Sequence, residues 1–277
     1  MIRQFTRRTL IALSVALTLA GLAHAQKVAD IKKSGVLKVG AQVAQVPWGF
    51  SDKDNKLTGY DIEFAEMLAK DLGVKPEFTP VTVANRTAAL LTGQVDVLAA
   101  VVTILADRQK VVLFSRPYSY LETVLIGKTS LPAMKGYADL KGLRISVPRG
   151  SVQDSAMTKA NSGATVQRFD DDAAAVQALL SGQVDLAGAA HTQLGSIAQI
   201  AGAGKYDIKL VVARGYQGAA VRPGEREWAD YINAFIARKI ASGELGALYK
   251  KWIGQEMRTD MPASGETEAA LPAAVAK

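Results

Sequence analysis

The phrase LLTGQVDVLAA, which begins at Leu90, returns as LLSGQVDLAGA at Leu179, 89 residues later. Arrays of short repeats recur every ~20–50 residues along most of a chain. Two copies at this wide spacing point instead to two similarly built halves. Each copy reads as the end of a helix, a glycine stop, an aspartate and a buried strand. Glycine after a helix and aspartate before a strand need only turn chemistry, so the phrase by itself demands no function.

The segments around each copy sharpen that reading. In the first half, VLKVGAQV (36–43) is β-rich. In GYDIEFAEMLAKDLG, Ile62, Ala65, Leu68, Ala69 and Leu72 share one helical face and Gly73 supplies the stop. An extended VKPEFTPV, a helix around 86–91 and the apolar strand VDVLAAVV follow. The second half repeats the plan: LRISV strand, SVQDSAMTKA helix, TVQRF strand, DDAAAVQALL helix, VDLAGAA strand. The order β-α-β-α-β in each half predicts an α/β fold with mostly parallel sheets. Such sheets bind ligands beyond the carboxyl ends of their strands.

Composition closes off several chemistries. The 277 residues contain no cysteine, which removes disulfides, thiolate metal sites and cysteine nucleophiles. The two histidines, His24 and His191, come with no HExxH and no carboxylates at metal-ligand spacing, so neither a metal nor a cofactor is expected. GKTS at 127–130 imitates a phosphate loop, but Glu122 stands where its first glycine is required. Residues 1–25 carry Arg3, Arg7 and Arg8, an apolar stretch from Leu10 to Leu22, and small residues at Ala23 and Ala25. That is the layout of a secretory signal peptide cleaved after Ala25. Without its three arginines, 30 basic residues face 26 acidic ones, a balance of +4 that gives no reason to invoke nucleic acid.

Five stretches carry a family resemblance, in order: LTGYDIEFAEMLAKDLG, ANRTAALLTGQVD, the spacing from Thr103 to Arg108, FSRPYSY and SGELGALYKKWIG. Together they make the chain resemble the periplasmic solute-binding proteins of polar amino acid ABC transporters, from about Val36 to Gly254. The resemblance implies the type II periplasmic binding protein fold, with two sheets joined by two hinge strands. Lobe 1 would take 26–120 and 217–257, lobe 2 would take 125–213, and 258–277 would be a flexible tail. It further implies a periplasmic monomer that closes on a small ligand, an amino acid or related organic acid, and delivers it to an inner-membrane permease. On the same fold, the alternatives are a dehydratase-like enzyme, with Glu122 or Lys128 as its acid–base group, and a ligand sensor for a membrane receptor.

The resemblance also assigns residues. Arg108 would bind a ligand carboxylate through its planar fork, helped by the Thr103 hydroxyl and a backbone N–H near Thr103, with Val101 also at the site. Arg86 would take a second anionic group. On the other wall, Ser151 and the Val152 amide open a helix where N–H groups favour an anion. Ala190 stands where the family has an aspartate for the ligand's α-ammonium, and His191 beside it could add a hydrogen bond. Val46 and Val83 leave Trp48 and Phe50 as the nearest aromatic walls. Two arginines and a missing aspartate argue for a dicarboxylate or keto acid over an ordinary α-amino acid, unless another anion such as Glu122 replaces the lost one.

Overall fold

Two 16-residue strands organise the molecule, β7 (Leu113–Lys128) and β11 (Tyr206–Val221). They pair antiparallel from Leu113 opposite Val221 to Lys128 opposite Tyr206. The computed structural model describes residues 26–265 and 270–271, so the leader read over 1–25 lies outside the described residues.

At one end of this pair sits a parallel set. Strand β1 (Val36–Ala41) lies between β5 (Lys75–Pro80) and β6 (Val97–Leu98), and β6 joins β11 at Ala220. At the other end β8 (Arg144–Pro148) lies between β9 (Thr165–Phe169) and β10 (Leu186–Ala190), and β10 joins β7 at 123–127. The two sheets expected from the sequence are therefore one hydrogen-bonded sheet, in the order β5-β1-β6-β11-β7-β10-β8-β9. The ladder does not break because β7 and β11 each run through both ends. Its register shifts between Ile208 and Leu210, Val211 and Ala213, and twice between Gln217 and Ala220. A small second sheet joins β2 (Ala44–Gln45), β3 (Gly49–Ser51) and β4 (Leu57–Thr58).

Helix α1 (Gln26–Ser34) precedes β1, and α2 (Tyr60–Leu72) follows the small sheet. The apolar face read from the sequence is the buried one: Ile62, Ala65, Leu68, Ala69 and Leu72 all lie inside, with Tyr60 and Phe64. Burying side chains of the Ile, Leu and Phe kind stabilises by about 1.5–3 kcal/mol each. Gly73 ends the helix at φ 76°, where a Cβ would be strained, and the next amide, Val74 N–H, returns to the Ala69 carbonyl.

The doubled phrase has the same job in both halves. Helix α3 (Arg86–Leu91) leads to Gly93 at φ 79° and β6. After α4 (Ala106–Gln109), β7 and β8 come α5 (Val152–Ala160), β9 and α6 (Asp172–Leu180), which leads to Gly182 at φ 77° and β10. Each aspartate of the phrase clips two strand starts together. Asp96 Oδ2 accepts the Lys38 N–H (3.1 Å) while its own N–H donates to the Lys38 carbonyl (2.8 Å). Asp185 does the same with Arg144, at 2.8 and 2.9 Å.

Helices α7 (Gln193–Ala201), α8 (Arg226–Ala241) and α9 (Glu244–Ile253) complete the layers. The stretch from Arg258 runs back over the paired strands: Arg258 stacks on Tyr120, the Tyr216 hydroxyl donates to the Asp260 carbonyl, and the short β12 (Ala270–Leu271) pairs with Arg214 and Gly215.

One predicted strand is much shorter than expected. Of VDVLAAVV only Val97–Leu98 ladders, because Val101 turns to φ 52° and gives its N–H to Asp61 rather than to a neighbouring strand.

Candidate functional site

All six parallel strands end at one cavity that is partly open to solvent. Gln42 follows β1 directly and Ala190 closes β10. Val83, Val101, Ser151 and Asp172 each stand three residues beyond the ends of β5, β6, β8 and β9. The carboxyl ends of parallel strands are where loops are free to carry recognition groups, and here both halves of the chain supply them.

The first wall is built on a buried carboxyl. Asp61, on α2, accepts the Val101 N–H (2.8 Å) and the Tyr118 hydroxyl (2.8 Å). A valine at positive φ costs on the order of 1–3 kcal/mol and persists only where its surroundings fix it. Burial pushes the Asp61 carboxyl up to about 7 against those two donors. The fixed turn presents Thr103, whose carbonyl accepts Arg108 Nη1 (3.1 Å) and whose hydroxyl accepts Gln217 Nε2 (3.2 Å).

Both arginines face this space. Arg86 is 4% exposed and donates Nη1 to the Ala100 (2.7 Å) and Val101 (3.2 Å) carbonyls. Burial, then the like charge of Arg108, pull it down to about 9. Burial likewise pulls Arg108 down to about 10, and its remaining contact is a long 3.5 Å approach of Nη2 to the Gly150 carbonyl on the opposite wall. Two under-paired guanidinium groups in one drying cleft favour an anionic ligand.

The second wall holds Ser151, Val152, Gln153, Asp172 and Ala190. The Ser151 hydroxyl caps α5 by accepting the Asp154 N–H (3.1 Å), so it serves the helix as well as the cavity. The Ala190 N–H donates to Gln193 Oε1 (3.0 Å).

The cavity thus gathers Val101, Thr103, Arg86, Arg108, Ser151, Val152 and Ala190. Three other candidates lie outside its lining. Trp48 is fully buried, edge-on to Tyr60 at 5.4 Å, with its Nε1 donating to the Thr192 hydroxyl (3.1 Å). Phe50 packs edge-on to Trp252 at 5.9 Å. His191 places Nδ1 3.2 Å from the Glu122 N–H, and burial first lowers its pKa.

Sequence reasoning missed Asp172, Gln42 and Gln45 in the cavity and Asp61 beneath it. Of the anions that could replace the missing aspartate, Glu122 does not line the cavity. Glu122 is committed to Arg214 (2.6 Å), whereas Asp172 lines the cavity and is 4% exposed.

The model of the bacterial extracellular solute-binding proteins, family 3, matches residues 37–255. The chain belongs to this family. It is 30% identical to the L-cystine-binding protein TcyJ of Escherichia coli over 253 residues, 89% of this chain and 93% of that one. Among solved structures, the solute receptor for L-cysteine of Neisseria gonorrhoeae superposes with a TM-score of 0.76 at 28% identity, covering 81% of this chain and 92% of the other. An ancestral amino acid-binding protein described as a precursor of cyclohexadienyl dehydratase gives 0.76 at 30% identity, covering 82% and 99%. The fold of this solute-binding protein is that of type II periplasmic binding proteins, and the named relatives of this kind are binders of amino acids.

Proposed function

We propose that the chain is the periplasmic substrate-binding component of an ABC importer, closing on a small solute whose carboxylate is held by Arg108. The observation that carries this reading is the placement of Arg86 and Arg108, both short of partners, in one cavity with walls from both halves. The carboxylate would meet the Arg108 fork, with Thr103 and the start of α5 completing its shell. Residues 26–120 with 217–257 and residues 125–213 act as the two lobes, and β7 and β11 act as the hinge. The protein works as a monomer and hands its ligand to a permease in the inner membrane.

Relatives named for L-cystine, L-cysteine and other amino acids support this class of ligand. The acid–base candidates read from the sequence do not favour catalysis. Glu122 is paired with Arg214, Lys128 is exposed, and neither lines the cavity. The test is a thermal-shift screen of the mature chain against amino acids and organic acids, followed by scattering with and without the compound that binds. A native-state ligand raises stability by mass action, and closure compacts the molecule. Conversion of the bound compound into a new product, read by mass spectrometry, would overturn the reading.

A further inference from the structure

Asp172 does not cap its helix. Capping of α6 falls to Asp171, whose side chain accepts the Ala174 N–H at 2.8 Å. Asp172 is the next residue, turned inward, and its Oδ2 is buried without a hydrogen-bond partner. A buried carboxylate left alone is expensive, and structures retain one where something else completes it. Arg86 acts on it as a nearby charge, while the Arg86 hydrogen bonds go from Nη1 to the Ala100 and Val101 carbonyls.

A second unmatched acceptor lines the same cavity from the facing side. Gln45, on β2, is 4% exposed and its Oε1 is also buried without a partner. Helix α6 packs directly against β2, so the two acceptors belong to elements in contact across the cleft. The cavity therefore offers donors at Arg86 and Arg108 and two bare acceptors at Asp172 and Gln45. Ala190, which has no polar side chain, lines the cavity with them.

We propose that Asp172, with Gln45 on the facing wall, binds the α-ammonium of the ligand, so that the cleft selects zwitterionic amino acids over the corresponding 2-oxo acids. This rests on the reading that Arg108 holds the carboxylate. The ammonium then bridges the two walls, since Gln45 comes from the first half of the chain and Asp172 from the second. Closure itself rewards an amino group.

Calorimetry on the mature chain tests this, using L-cystine, L-cysteine, L-arginine, L-glutamine, L-glutamate and 2-oxoglutarate as probes. L-Glutamate should bind more tightly than 2-oxoglutarate. Asp172→Asn, which keeps the shape, should weaken whichever amino acids bind by tenfold or more and leave 2-oxoglutarate unchanged or tighter. Adding Ala190→Asp to Asp172→Asn should restore part of the loss. Preference for the 2-oxo acid, or amino acid affinity indifferent to Asp172→Asn in a variant that melts no lower than the parent, overturns the proposal. Loss confined to arginine would place a side-chain cation there instead and overturn it too. Arg108→Ala separates the two readings: if it abolishes binding of amino and oxo acids alike, the carboxylate site stands whatever Asp172 does. Binding of no probe by the parent protein defeats both.

Discussion

Arg86 and Asp172 are the first residues of α3 and α6, the two helices that end in the doubled phrase, and they share one cavity with opposite charges. Each shifts the other toward its charged form, yet burial outweighs that attraction at both: the guanidinium falls to about 9 and the carboxyl rises to about 7. The repeated architecture has thus been given a basic tooth in one half and an acidic tooth in the other. A ligand carrying both signs of charge can relieve both.

The anchor prediction concerns Arg108. Hydrogen bonds to charged groups contribute roughly 1.5–3 kcal/mol each, so Arg108→Ala should weaken binding at least about tenfold by calorimetry. Arg108→Lys should recover little, because an ammonium cannot reproduce a planar two-pronged donor. The apo melting temperature should hardly change, since the side chain's fixed contacts are two carbonyls, one of them at 3.5 Å.

The loop that shapes the anion site depends on Asp61. Asp61→Ala strips the acceptor from the buried Val101 N–H and from the Tyr118 hydroxyl. An unsatisfied buried donor costs about 1–3 kcal/mol, so a stability loss of about 2–4 kcal/mol is expected in urea unfolding. Ligand affinity should fall with it, although Asp61 is absent from the cavity lining, because Val101 then leaves its positive φ.

Two buried carboxyls give the ligand-free protein a pH signature. Asp61 and Asp172 both titrate near 7 when folded, against about 4 when unfolded, and burial is the leading cause for each. A folded pKa raised above the unfolded one means that the native state holds the extra proton. Its stabilising contribution is complete below pH ~4 and disappears as the pH rises through 7. Asp172→Asn removes one such group. The variant should therefore gain on the parent between pH 4 and 8, by up to about 4 kcal/mol in apo unfolding curves. With an amino acid bound the order should reverse above pH 7, since the charged carboxylate then has its partner.

Much of this was legible in the sequence because periodicity and turn chemistry are local. The inward face of α2, the glycine stops at Gly93 and Gly182, and the ends of β8 and β9 follow from short-range rules. What escaped depends on distant partners. VDVLAAVV reads as a strand until Asp61 draws off the Val101 amide. Trp48 and Phe50 look like pocket aromatics until Tyr60 and Trp252 pack against them. Asp172 was concealed in Asp170-Asp171-Asp172, where one acid is enough to cap a helix. Its signal was positional: it stands three residues beyond β9, as Ser151 stands beyond β8.

Trp48 and Thr192 give a test of closure that leaves the ligand's contacts alone. The indole Nε1 donates to the Thr192 hydroxyl at 3.1 Å, joining the loop after β2 to the turn before α7, and neither residue lines the cavity. The bond can form only while these two segments of opposite halves are together, so removing it biases the molecule toward an open form without touching the ligand. A neutral hydrogen bond contributes about 0.5–1.5 kcal/mol net, which corresponds to roughly a two- to tenfold loss of affinity. Thr192→Val removes the bond at nearly constant volume, and Trp48→Phe removes it with some loss of packing against Tyr60. Scattering of the ligand-free variants should show a larger radius of gyration than the parent, while saturating ligand should restore the compact value. Because both substitutions break the same bond, the double variant should lose less affinity than the two single losses combined. Fully additive losses, or an unchanged apo radius, would show that this contact does not report on closure.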